Sequence, residues 1–125
     1  MLCVLTACNL QYGEPPPPST PDLPQIEFQA PANNDSVSEG TDINIALVAR
    51  DDGVGIGRVE LLVDDLPHHE AFPQVSAAVP VFSVNMNWLA AGVGFHSLTA
   101  IAYRPDGVAG RPTTISILVV PPDNA

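Results

Sequence analysis

Three carboxylates and a pair of histidines are the residues of this chain whose types and spacing invite chemistry. Asp51, Asp52 and Asp106 lie in turn-like stretches that one end of a small fold would bring together. Three carboxylates offer the oxygen ligands that Ca²⁺ prefers. Arg50, Arg104 and Arg111 fall in the same region, however, and are simpler partners for them. The spacing also lacks the regularity of a dedicated calcium loop, and Asp is an ordinary turn residue. Calcium at Asp51, Asp52 and Asp106 is therefore a minor expectation, and no metal is assigned. The run His68-His69-Glu70 reads as part of a strand. Neighbours on a strand point to opposite faces, so His68 and Glu70 would share a face and His69 would not. Two ligands do not make a zinc site, and His96 belongs to a different run. The chain has no Gly-x-Ser-x-Gly elbow and no His-Glu-x-x-His. Its paired carboxylates lie in turns without an evident cleft. No catalytic residue is assigned, and no enzymatic activity is expected.

Cys8 carries a different chemistry. Leu5-Thr6-Ala7-Cys8 is an aliphatic residue, two small residues and a cysteine. The string resembles the lipobox of bacterial lipoproteins. The resemblance implies cleavage before Cys8 and a covalent lipid on it. Residues 1–7 are then the stub of a signal peptide, shorter than an ordinary apolar signal core. Residues 8–23 follow as a tether, with Pro15, Pro16, Pro17, Pro18 and Pro21 among them. Consecutive prolines fix φ and remove N–H donors, which excludes helix and inner strand. Such a run is a stiff spacer rising roughly 3.1 Å per residue, or about 50 Å in all.

Composition limits what the remaining 24–121 segment does. The net charge is −10, and the four cationic side chains are all arginine. An acidic surface without a basic patch argues against nucleic acid and anionic head groups. No apolar run approaches the roughly 20 residues of a membrane-spanning helix. Cys3 and Cys8 both precede the domain, so no disulfide braces it. About 100 residues make one domain with one core.

That core reads as strands. Apolar residues alternate with polar ones at period two. Ile26 and Phe28 form one run; Ile43, Ile45, Leu47 and Ala49 the next; then Val59, Leu61 and Val63. Phe82, Val84, Met86 and Trp88 alternate cleanly with serine and asparagine. Leu98, Ala100 and Ala102 follow, then Ile115, Ile117 and Val119. Turn clusters separate the runs, among them Asn33-Asn34-Asp35-Ser36, Asp51-Asp52-Gly53 and Asp64-Asp65-Leu66-Pro67. The expected fold is all-β: an antiparallel sandwich of about seven strands. The expected core is Ile45, Leu47, Val59, Leu61, Phe82, Val84, Leu98, Ala100, Ile115 and Ile117.

Three stretches resemble the immunoglobulin-like domains of bacterial surface and secreted proteins. They are Ala49-Arg50-Asp51-Asp52-Gly53-Val54 with the Arg58-Val59-Glu60-Leu61-Leu62-Val63-Asp64 strand, Gly94-Phe95-His96-Ser97-Leu98-Thr99-Ala100-Ile101-Ala102-Tyr103, and the 114–120 strand. The resemblance covers 24–121, leaving 122–125 as a tail. It implies an immunoglobulin-like β-sandwich, with the 51–57 and 104–112 loops at the end where the chain enters. The 33–41 and 64–67 loops would gather at the other end. Members often carry an acidic residue after the tyrosine; Arg104 stands there in this chain, which weakens any ion site taken from the family.

Period two also gives an outer face. If Leu98, Ala100 and Ala102 point inward, Ile101 and Tyr103 point outward, and so do Leu62, Leu118 and Val120. In the implied topology these belong to one sheet. Five large apolar residues on an outward face suggest a partner surface, with Tyr103 as its anchor. The chain is accordingly expected to be a lipid-anchored extracytoplasmic module, binding another envelope or surface protein or serving as a small subunit of an envelope assembly. The alternative is a carbohydrate-binding surface module. It depends on an exposed flat aromatic, above all Trp88.

Overall fold

The computed structural model describes residues 23–74 and 78–122. Cys8, the 1–7 stub and all but the last residue of the 8–23 tether lie outside the described residues. Eight strands follow in order: β1 (Gln25–Ala30), β2 (Asp35–Ser38), β3 (Asp42–Arg50), β4 (Arg58–Val63), β5 (Leu66–Ala71), β6 (Val81–Leu89), β7 (Gly94–Tyr103) and β8 (Thr113–Val120). They form two layers. One sheet has the order β1-β3-β6, the other β2-β8-β7-β4-β5. The fold is an immunoglobulin-like β-sandwich, as the resemblance implied, with eight strands in place of about seven and one parallel pair among otherwise antiparallel neighbours.

The layers meet through the apolar half of each alternating run. Ile43, Ile45, Leu47 and Ala49 of β3, with Met86 and Trp88 of β6, face Val59, Leu61, Leu98, Ala100, Ala102, Ile117 and Val119 from the other sheet. All ten expected core residues point inward. Eight are buried, whereas Phe82 and Val84 are only half-buried and pack against the core from its side. They belong to β6, an edge strand, where the sandwich thins out.

Two strands fall outside the alternating core runs: one in a stretch that reads as loop, the other in the polar His68-His69-Glu70 stretch. β2 lies within the stretch read as a 33–41 loop. Its residues Asp-Ser-Val-Ser offer one apolar side chain, too little for a period to show. Backbone pairing makes it a strand: β2 runs parallel to β8, with Ser36 beside Leu118 and Ser38 beside Val120. The chain thus leaves the first sheet after β1 and joins the second. The other is β5, nearly all exposed and on the far edge.

The two ends of the sandwich are tied differently. At the entry end, Thr113 Oγ1 donates to the Ile26 carbonyl at 2.7 Å, and Gly110 N donates to Ala102 O. Gly110 is buried, and a Cβ on it would overlap the Pro24 carbonyl. Only glycine lets the backbone approach so closely. At the exit end, Glu39 N donates to Val120 O, and the Glu39 carboxylate accepts from Gly92 N at 2.9 Å. The 39–41, 64–65 and 90–93 turns therefore gather where β8 finishes, opposite the entry.

Candidate functional site

At the entry end, Asp51 is a buried carboxylate. Arg104 donates to it from Nε at 2.6 Å and from Nη2 at 3.3 Å, and the N–H groups of Gly53 and Gly55 add two more donors. The Arg104 bond, against the opposing effect of burial, holds the Asp51 carboxyl below the usual carboxylate range. Asp52 is exposed. Asp106 accepts from Val108 N two residues on, which is a turn bond. Asp51, Asp52 and Asp106 do not gather as a ligand set. Among the described residues no three acidic, histidine or cysteine side chains do. Asp51 instead braces the 51–57 loop against Arg104, the residue that replaces the acid usual after the tyrosine.

The His68-His69-Glu70 run departs from simple alternation. A bulge at Leu61/Leu62 sets Leu61 opposite His69 and Leu62 opposite Pro67, which leaves His68 as the extra residue. His68 Nε2 reaches the Asn87 carbonyl of β6 at 3.0 Å, in the other sheet. Glu70 stays beside Glu60 and takes Arg58 at 3.2 Å. The expectation that His68 and Glu70 share a face is therefore corrected. The inserted residue breaks the period on which it rested.

The outer face of the five-stranded sheet holds the five residues expected there. Leu62, Ile101, Tyr103, Leu118 and Val120 all point outward, and each is half-buried. They do not form one continuous patch. Ser97 pairs with Ser116, and Thr99 with Thr114, whose hydroxyls lie 2.9 Å apart. This hydroxyl band crosses β7 and β8. It puts Ile101 and Tyr103 on the entry side and Leu118 and Val120 on the exit side, with Leu62 beside Thr99.

Tyr103 is engaged within the domain. Its hydroxyl donates to Glu60 at 2.9 Å. The Arg58 guanidinium lies 3.6 Å from the ring centroid, a cation–π contact. Arg58 also links Glu60 and Glu70, which would otherwise repel across β4 and β5. Burial, reinforced by Glu60, pushes the Tyr103 phenol up. On the exit side the most exposed large apolar residue is Phe95, at 72%. Phe95 stands directly opposite Leu118. The same odd-numbered alternation that gave Ile101 and Tyr103 reaches Phe95, but no bulky alternating partner precedes it to draw attention.

Beneath that end lies His96. Its Nδ1 donates to Asp64 at 2.6 Å and its Nε2 to the Gly92 carbonyl at 2.6 Å. The ring tilts against buried Trp88, centroids 5.2 Å apart. Both nitrogens face acceptors, an arrangement that the two N–H groups of a protonated ring satisfy together. The Gly92 bond first, then Asp64, raises the His96 pKa above its ordinary value. Burial pushes the Asp64 carboxyl up, but its bonds from His96 and Ser97 N outweigh that and leave it lowered.

Comparison with known proteins agrees with this geometry. Residues 24–100 match the family described as bacterial Ig domain. Among solved structures, the fibronectin(III)-like modules of CbhA from Clostridium thermocellum are 26% identical, with a TM-score of 0.65 over 78% of this chain and 99% of that one. The CARDB domain of the PF1109 protein from Pyrococcus furiosus, solved in complex with di-metal ions, is 13% identical. Its TM-score is 0.62 over 82% of this chain and 99% of that one, a likeness of fold alone. No curated protein matches the chain in sequence.

Proposed function

The chain belongs to the bacterial Ig domain family, and from that premise we propose that it is a lipid-anchored, extracytoplasmic module that binds another envelope or surface protein. Domains of this family are typically extracellular and usually non-catalytic. The observation that carries the binding role is the outer face of the five-stranded sheet. It bears Leu62, Ile101, Tyr103, Leu118, Val120 and exposed Phe95, and no described element covers it. The exposed Phe95 ring beside Leu118, with further outward apolar side chains on the same sheet, supports a contact surface. The anchor is supported by the Leu5-Thr6-Ala7-Cys8 string and the proline-rich run behind it. The carbohydrate alternative depended on Trp88, which is 7% exposed and packed in the core.

Two measurements test this reading. Intact mass of protein from its native membrane is expected to show an acylated chain beginning at Cys8; a free thiol with residues 1–7 retained overturns the anchor. Thr99→Arg puts a bulky charge at the centre of the outer face without touching the core. It is expected to abolish co-purification of the native partner while the fold persists. Unchanged co-purification from a folded variant overturns the binding face.

A further inference from the structure

The outer face is not uniform, and its two ends differ in what they offer a partner. At the entry side the Tyr103 ring is covered by Arg58 and its hydroxyl is taken by Glu60. At the exit side Phe95 is 72% exposed, Val93 in the preceding turn is 56% exposed, and Leu118 and Val120 continue the apolar surface along β8. Directly opposed side chains on one sheet face lie within contact of each other, so Phe95 and Leu118 form one apolar unit.

The rim of this unit is acidic on both sides. Glu39 follows β2, its N–H bonded to the Val120 carbonyl. Asp64 holds Ser97 N, two residues along β7 from Phe95, and exposed Asp65 follows it. Every arginine lies towards the other end: Arg50 closes β3, Arg58 opens β4, Arg104 follows β7 and Arg111 precedes β8. Among the described residues, the titratable base nearest the patch is His96, and Asp64 already pairs with it.

We propose that the contact is made by this Phe95 end, and that the partner is a protein presenting an apolar pocket ringed by lysine or arginine. The inference rests on the binding reading above and gives it a place and a partner chemistry. An exposed aromatic beside a half-buried leucine is the anchor that interfaces favour at their centre. The carboxylate rim sets the sign of the complement. It also disfavours a second copy of this chain, because two such ends would bring like charges together. An anionic lipid surface is disfavoured for the same reason.

The test is an NMR titration of the full chain with three short peptides. The first has a Leu-Phe centre flanked by lysine and arginine, the second the same centre flanked by glutamate, and the third the basic flanks around a Ser-Ser centre. The first peptide is expected to bind at least tenfold more tightly than either control. Its shift changes should gather on residues 93–97 and 118–120, and raising salt from about 50 to about 500 mM should weaken it severalfold. Phe95→Ser, a surface change that leaves the fold intact, should lower the affinity at least tenfold. Val81→Ser, an exposed change in the other sheet, should leave it within twofold, whereas the double change Ile101→Ser with Tyr103→Ser probes the entry side of the face. If Phe95→Ser binds like the parent, or the Ser-Ser control binds equally well, the site is overturned. If native co-purification is lost on the Ile101/Tyr103 change but survives Phe95→Ser, the face still binds and only this placement fails. If co-purification also survives Thr99→Arg, the binding reading itself fails.

Discussion

His96 couples two turns through one ring, and its protonation sets a pH dependence. Its pKa is raised above 6.5 in the fold. The stability it contributes is therefore complete below the unfolded value and is lost as pH rises through the higher folded one. Asp64 is lowered from 3.8, so its contribution is present above that value and is lost as pH falls through the folded one. The urea midpoint is expected to be highest between these limits and to decline on the alkaline side. His96→Gln should flatten that alkaline decline. At the other end, Arg104→Ala leaves the fully buried Asp51 carboxylate without its cation. Removing one partner of a buried pair costs about 3–5 kcal/mol, measurable as a fall in the urea midpoint. Sequence alone brought Arg50, Arg104 and Arg111 to this region but did not choose among them. The choice depends on which side chain reaches into the 51–57 loop, and that is set by packing rather than spacing. Tyr103 is a similar case. Its face was legible from parity, whereas its engagement with Arg58 and Glu60 required strand register.

The β4–β5 connection shows how an element is fixed by local chemistry. Asp64 and Asp65 both have positive φ, at 53° and 68°, the pattern of a two-residue hairpin turn favoured by Asn-Gly or Asp-Gly. Asp65 makes the turn without the freedom of glycine, and Asp64 is held by its bonds to Ser97 and His96. Asp65→Gly is expected to raise stability by about 0.5–1 kcal/mol, from relief of the left-handed penalty less the entropy of glycine. Chemical denaturation will read the gain. Leu61→Ala, in the fully buried centre of β4, should cost about 2–5 kcal/mol; a loss near zero would mean that β4 is misassigned by one residue. The long alternating strands were legible because each carries three or four apolar residues at period two. β2 was not, because one valine has no period. The β5 bulge was not, because an inserted residue leaves composition unchanged while shifting every face beyond it.

On the scale of the molecule, a net charge of −10 is distributed unevenly. The exit end carries Glu39, Asp42, Asp64 and Asp65, while the arginines lie at the entry end. Self-repulsion of this kind is screened by salt. The melting temperature is therefore expected to rise between about 10 and about 200 mM NaCl, as followed by circular dichroism. The separation of the two ends was legible from strand parity and the implied topology; the charge polarity followed once the loops were placed. The parallel pairing of β2 with β8 has a mechanical consequence. Tension between the proposed tether and whatever holds the far end would load β1 first, and once β1 parted from β3 it would pull β2 towards the entry and β8 towards the exit. Parallel neighbours dragged in opposite directions slide along each other. Their hydrogen bonds are then loaded together in shear instead of opening one at a time like a zip. Behind β1, the four residues of β2 would then carry the shear against β8.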